Sequence, residues 1–201
     1  MDTIEAIYSR RAVKYFDKND RLTDEMEHEL LQATIQAPTS FNIQHWRFVI
    51  LRNPELRAKL RAELGNDQSQ ITDASLLILF TADVKAWAKN PQRYCSSAPK
   101  EIADMLVEMI NSFYKGRDWL QRDEAQRSIG IAMQTLMLAA QGLGYQSCPM
   151  IGFDIEKVAE LVNLPDDYVM GPMVAIGKGM KDPWPKSGQI TLEELMVENS
   201  F

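Results

Sequence analysis

The 201-residue sequence predicts one α+β domain, on three observations. Helical and strand-like hydrophobic periods are interleaved along the chain. No repeat, low-complexity tract or composition break marks a linker. The residues are 45% hydrophobic, enough for a substantial core at this length. A short helix comes first, with Ile4 and Ile7 on one face. Thr23 is an N-cap for a second helix, where Met26, Leu30, Ala33 and Ala37 recur at helical spacing until Pro38 ends it. Residues 46–51 are rich in β-formers and read as a strand. Asn53-Pro54 pairs a cap with a first-turn proline, and the helix it opens stops at Gly65. Residues 76–81 are continuously apolar, which predicts a strand buried on both faces. Residues 99–114 and about 123–141 read as helices. The second is the longest, and its broad apolar face (Ile129, Ala132, Met133, Leu136, Met137, Ala140) suits a central element. Residues 146–151 are extended, and Asp154 caps a short helix ending before Pro165. Residues 168–176 form a strand that Gly171-Pro172 interrupts, which predicts an edge position or a bulge. Thr191-x-x-Glu194 is a capping box for a terminal helix. Strand order does not follow from these patterns.

Charge and composition exclude several classes. The net charge of −6 argues against a general nucleic-acid binder, although it permits a local basic pocket. No apolar run approaches the roughly 20 residues that span a bilayer. The N-terminal residues carry neither a basic region nor an apolar segment, so the expected location is the cytoplasm. Two cysteines and two histidines, with no Cys-x-x-Cys, predict neither a disulfide framework nor a metal site. No Walker loop or Gly-x-Ser-x-Gly is present. An enzyme of this composition would be served by a bound organic cofactor.

Four segments could carry chemistry. In Ser9-Arg10-Arg11-Ala12-Val13-Lys14, three cations within five residues can converge on one anion, since arginine offers a planar fork of donors; the alternative is a solvated basic patch. Pro38-Thr39-Ser40-Phe41-Asn42-Ile43-Gln44-His45-Trp46 joins a helix to a strand. Its hydroxyls and amides could read the edge of a polar heterocycle, or simply satisfy a turn. Gly142-Leu143-Gly144 ends a helix and leads to Pro149-Met150-Ile151-Gly152, where glycine lets a backbone approach a ligand. The fourth, from Lys178 to Gly188, follows a strand and adds cations in a loop.

In order and spacing these segments resemble the nitroreductase family along nearly the whole chain. The resemblance is carried by Ser9-Arg10-Arg11 with Lys14-x-Phe16, then Pro38-Thr39-Ser40-x-Asn42-x-Gln44-x-Trp46-x-Phe48, then Asp73-Ala74-Ser75 before the buried strand. Gly142-Leu143-Gly144, Gly152-Phe153, Leu164-Pro165 and Ile176-Gly177 before a basic loop complete it. It implies a single FMN-binding domain over residues 1–201, with a central, mainly antiparallel sheet flanked by helices, in an intertwined homodimer. Non-covalent FMN would lie at the dimer interface, with NAD(P)H as reductant. Arg10, Arg11 and Lys186 match positions that hold the phosphate or lie beside it, and Ala12, Asp67, Gln70 and Gly188 match further cofactor positions. Lys14 matches a residue near the flavin's pyrimidine edge, where it would act as an electrostatic stabiliser. Pro38, Thr39, Ser40 and Asn42 match a segment that the other subunit lays against the ring system. Pro149, Met150, Ile151 and Gly152 match the stretch near its redox-active side. Ala12 stands where serine is frequent, Ile151 where some members carry glutamate, His45 where proline is common, and Gly188 where some carry a second arginine.

The function this implies is electron transfer from NAD(P)H, through the flavin, to a small planar acceptor of nitroaromatic or quinone type, by ping-pong kinetics. Phe41, Phe113, Tyr114 and Trp119 are the candidates to stack on that acceptor, or else they are core or dimer contacts. Alternatives on the same fold are a flavin or enone reductase, a dehydrogenase of a small metabolite, and a non-catalytic flavin-binding module. Partners are expected to be a second copy and a small molecule, with no nucleic acid, membrane or metal.

Overall fold

The computed structural model describes residues 1–201. In chain order the elements are α1 (Thr3–Ser9), α2 (Asp24–Thr34), β1 (Trp46–Ile50), α3 (Pro54–Lys59), α4 (Gln70–Asp73), β2 (Leu76–Asp83), α5 (Lys100–Tyr114), α6 (Asp118–Gly142), β3 (Gln146–Met150), α7 (Ile155–Leu161), β4 (Tyr168–Gly177) and α8 (Leu192–Leu195). The four strands form one sheet in the order β1-β2-β4-β3, antiparallel at every pairing.

Strand periodicity builds two cores from this sheet. All eight residues of β2 are buried. Leu76, Ile78 and Phe80 face one way, with Val174 and Ile176, and pack against Leu30 of α2 and Ile129, Ala132, Leu136 and Ala140 of α6. Leu77 and Leu79 face the other way with Met173, Ala175 and Cys148, against Leu60, Leu64, Ile71 and Val158. A central strand apolar from Leu76 to Phe80 is what two covered faces require, and the buried polar residues Thr81 and Asp83 come only at its end. Gly171 lets α6 settle on the sheet, because a Cβ there would meet Ile129 Cγ2 at 2.6 Å.

The structure departs from the sequence reading at three places. Of the two readings of the strand over 168–177, the edge position is not met, since it lies between β2 and β3, whereas the bulge is: a register shift opposite Leu79–Thr81 absorbs Gly171-Pro172. α6 begins at Asp118 without a side-chain cap, so no capping signal marked its start. Its first turn is fixed by tertiary contacts instead: Leu120 is buried and Gln121 Nε2 donates to the Tyr114 carbonyl at 2.9 Å. The helix opened by Asn53-Pro54 runs as α3 to Lys59 and continues as a wider turn over Leu60–Leu64 before Gly65. The N-caps at Thr23, Asn53, Asp154 and Thr191 all accept backbone N–H bonds, as their residue types predict. No helix is long and apolar enough to cross a membrane.

Two further pairings set up the site. Ala12 bridges to Ser147, and Val13 N–H donates to the Ser147 carbonyl at 3.1 Å, which lays residues 10–14 along the outer edge of β3. Phe16 bridges to Gly179, and Met180 N–H donates to the Tyr15 carbonyl at 2.9 Å. The basic segment near the N-terminus and the basic loop after β4 are therefore neighbours.

Candidate active site

Those pairings enclose a cavity of about 280 Å3 whose lining includes Arg10, Arg11, Ala12, Lys14, Trp184 and Lys186, and no carboxylate. None of the four cations takes part in an ion pair. Arg11 Nη1 is used locally, donating to the Tyr8 carbonyl at 2.7 Å and to the Arg10 carbonyl at 2.9 Å. Arg10 differs: its Nη1 is buried and has no partner. A buried guanidinium nitrogen without an acceptor is costly. With Arg11, Lys14 and Lys186, Arg10 makes a set of four cations without an ion pair, which fits an anion such as a phosphate.

From this basic end the site continues along β3. Lys14 Nζ lies 3.5 Å from Cys148 Sγ, and Gln70 Nε2 approaches the same sulfur at 3.8 Å. Pro149 and Met150 complete the strand, and Ile151 and Gly152 follow it, both exposed. The Gly152 carbonyl is held by Asn66 Nδ2 and Gln68 Nε2, each at 2.9 Å. The preceding peptide is held through Phe153 N–H, which donates to the Ile151 carbonyl at 2.9 Å. A Cβ at Gly152 would meet only those amide nitrogens, at 3.7 and 3.8 Å, so packing within the chain does not demand glycine there. Without a side chain, the backbone there stays open to close approach.

The sequence-predicted residues thus divide. Arg10, Arg11, Ala12, Lys14 and Lys186 share the cavity, and Gln70, Pro149, Met150, Ile151 and Gly152 adjoin it through Cys148. Asp67 is turned outward and ion-paired to Arg61 at 2.8 Å, and Gly188 is exposed outside the cavity lining. Pro38, Thr39, Ser40 and Asn42 do not join this group within one chain. Their loop packs by Ile43 into a separate cluster with Trp87, Cys95, Ile110 and Tyr114. Tyr114 itself is wholly buried, stacked on Trp87 at 5.9 Å, so its ring belongs to that core and not to an open ligand face. Burial pushes its phenol up to about 12. Phe41 and Phe113 meet at 5.5 Å at the edge of the cluster, while Trp119 is exposed. Trp184, Cys148, Asn66 and Gln68 were not singled out as site residues by sequence reasoning. Only the amide-rich run Asn66-Asp67-Gln68 carried a usable signal.

The loop over 38–45 is held under strain. Phe41, Asn42 and Gln44 have φ of 50°, 55° and 52°, in the left-handed region that L-residues avoid. Thr39 Oγ1 accepts the Gln44 N–H at 2.9 Å, and Ile43 anchors the turn in the core. Replacing Thr39 with Val keeps the shape and removes the acceptor. It should cost about 1 kcal/mol and lower Tm by roughly 2–4 °C in a melting experiment.

The family model for the nitroreductase family matches residues 7–178. The chain belongs to the nitroreductase family. Protein DrgA of Synechocystis sp. is 65% identical over 182 residues, spanning 90% of this chain and 86% of the relative. A Bacillus subtilis protein, YodC, named as an NAD(P)H nitroreductase, is 29% identical over 96% of this chain and 97% of its own length. Among solved structures, one named as a nitroreductase in complex with FMN, from Exiguobacterium sibiricum, superposes with a TM-score of 0.89. It is 27% identical and covers 98% of this chain and 97% of that one. The α+β fold with an antiparallel sheet is thus the nitroreductase fold, as the sequence pattern implied.

Proposed function

We propose that this nitroreductase is an FMN-dependent enzyme that oxidises NAD(P)H and reduces a small planar acceptor of nitroaromatic or quinone type. It would work as a cytoplasmic homodimer, with reductant and acceptor using the same open face in turn. The observation that carries the reading is the buried, unpartnered Arg10 Nη1 in a cavity of four cations without a carboxylate. Arg10, Arg11 and Lys186 would hold the FMN phosphate. Lys14, whose Nζ reaches Cys148 of β3, would lie beside the ring system, and the Ile151-Gly152 backbone would present a donor to its far side.

Bound FMN would accept hydride from NAD(P)H and pass two electrons on. Lys14 contributes a positive charge that stabilises negative charge accumulating nearby on reduction, more strongly as water is excluded. The Phe153 N–H bond to the Ile151 carbonyl holds the Ile151–Gly152 peptide, and Asn66 and Gln68 hold the next one through the Gly152 carbonyl, so the Gly152 N–H would be presented without reorganisation. No side chain is then required as acid or base. In the FMN-loaded protein, Lys14→Met should make the two-electron potential more negative, read by spectroelectrochemistry. An unchanged potential would remove Lys14 from this role.

Dimerisation is supported by apolar surface left open in one chain. Ile4 and Ile7 of α1 are exposed, as are Trp184, Ile190, Leu192, Leu195, Met196 and Phe201 of the C-terminal segment. Exposed apolar groups on this scale mark an interaction surface. A second copy could also bring the 38–42 loop, with Phe41, to the site that this chain lacks it in.

The deciding experiment is the visible spectrum of the purified protein, followed by anaerobic titration with NADH and NADPH and assay with nitroaromatics, quinones, enones and free flavin. A flavin spectrum bleached by a nicotinamide and restored by an acceptor is expected. Flavin that no nicotinamide reduces would leave a binding module, and a protein that never takes up FMN would end the proposal.

A further inference from the structure

A second basic cavity, of about 330 Å3, opens between the end of β1 and the start of β2, beneath α3 and α4. Arg21, Arg52, Arg57, Thr72 and Ser75 line it, together with apolar residues that include Leu51 and Leu77. The cavity does not share a lining residue with the flavin-site candidate. We propose that it is an anion-binding site that takes the phosphate or carboxylate group of a small molecule.

The argument rests on where the charges go. Arg57 is 91% buried, at 9% exposure, yet has no carboxylate partner. Its Nε donates to the Ile71 carbonyl and its Nη2 to the Ala74 carbonyl, both at 2.6 Å. These bonds fix the plane of the guanidinium and leave its Nη1 without a bond in the chain. Arg21 stands beside it, with Nη1 tied to the Lys18 and Asp20 carbonyls at 2.6 and 2.7 Å. Burial and then the charge of Arg21 lower the Arg57 pKa, against the opposing pull of Asp73. A buried guanidinium thus stands beside an exposed like charge, and an anion bridging the two would offset both the desolvation of Arg57 and its repulsion by Arg21. The nearby carboxylates accept from hydroxyls, Asp73 from Thr72 Oγ1 at 2.8 Å and Asp20 from Ser75 Oγ at 3.0 Å, and neither forms an ion pair with Arg57 or Arg21. Arg52 sits at the rim, paired with Glu27. Fixed, planar donors above an apolar floor suit an oxyanion carried on a small organic body.

The test uses full-length protein saturated with FMN, so that the flavin site is filled, and inorganic phosphate as probe. Calorimetry should give a saturable binding isotherm, and the Arg57 Nε–Hε NMR resonance should shift with the same affinity. Arg57 also supports α4, so the informative variant is Arg21→Gln with Arg52→Gln at the exposed rim. It should bind phosphate at least tenfold more weakly while keeping its FMN. Absence of saturable binding, or equal affinity in the double variant, overturns the proposal. So does tighter phosphate binding when Glu193, Glu194 and Glu198 are all changed to Gln, because the occupant would then be the chain's own acidic C-terminal segment.

Discussion

Lowering the pH from 6.5 to 4 should remove about 3 kcal/mol of folding stability through His45 alone. His45 is completely buried, and its Nδ1 lies 3.0 Å from Ser128 Oγ. That hydroxyl already donates to the Glu124 carbonyl at 2.8 Å, so it accepts from His45, which places the proton on Nδ1. Nε2 is then a buried acceptor without a partner. Burial lowers the pKa from 6.5 to about 4; Asp83 opposes the shift in part and Arg47 adds to it. The folded-state pKa is thus below the unfolded one. Between them the unfolded chain binds a proton that the native chain refuses, so stability is complete above pH 6.5, falls as the pH drops, and levels off below about 4. Urea unfolding of wild type and His45→Asn across this range isolates the effect from the carboxylates. Asn keeps a donor for Ser128 and cannot titrate. The stability difference between the two proteins should change by about 3 kcal/mol in favour of the variant on acidification. A difference independent of pH would show that His45 titrates normally.

Arg10→Ala should raise the dissociation constant for FMN by roughly tenfold to 150-fold, the equivalent of one charge-assisted hydrogen bond of 1.5–3 kcal/mol. The loss falls on Arg10 and not on Arg11, because Arg11 spends a terminal nitrogen on the end of α1 whereas Arg10 keeps a buried one free. Arg10→Lys should recover only part of the affinity, since an ammonium cannot reproduce the planar fork. Flavin fluorescence recovered on dilution measures both variants. Wild-type retention in Arg10→Ala would remove the phosphate assignment from this cavity, whatever the fate of the enzymatic reading.

How far the sequence could be read depended on whether a signal was local. The two-faced burial of β2 was legible because Leu76 to Phe80 are all apolar, and the caps at Thr23, Asn53 and Asp154 because capping is decided within three residues. The place of β4 was not legible. Gly171-Pro172 looks the same at an edge as in a register shift, and only Phe80 and Ile129 across the sheet decide between them. The start of α6 was hidden for a similar reason, since Leu120 and Gln121 are recruited by tertiary contacts and no cap announces them. In the candidate site, the cations of 10–14 were visible as clustered charge, whereas Lys186 was one cation of a basic loop that only the family resemblance singled out. The partnership of Lys14 with Cys148 was not, because 134 residues separate them and a lone cysteine carries no spacing signal. Tyr114 and Phe113 are adjacent aromatics of equal promise in sequence, and only the stacking of Tyr114 on Trp87 sends one to the core.

The pairing of residues 15–17 with 178–180 has a consequence for biosynthesis. A cavity walled by residues 10–14 and 184–187 cannot exist on the ribosome until the segment that follows β4 has emerged. Contacts of such long sequence separation are also among the last to be repaid in loop entropy. Capture of a ligand there would follow the assembly of the sheet, and its arrival would lock the two extremes against fraying. Incomplete chains would be released empty, and proteases acting on loose ends would distinguish them from finished molecules.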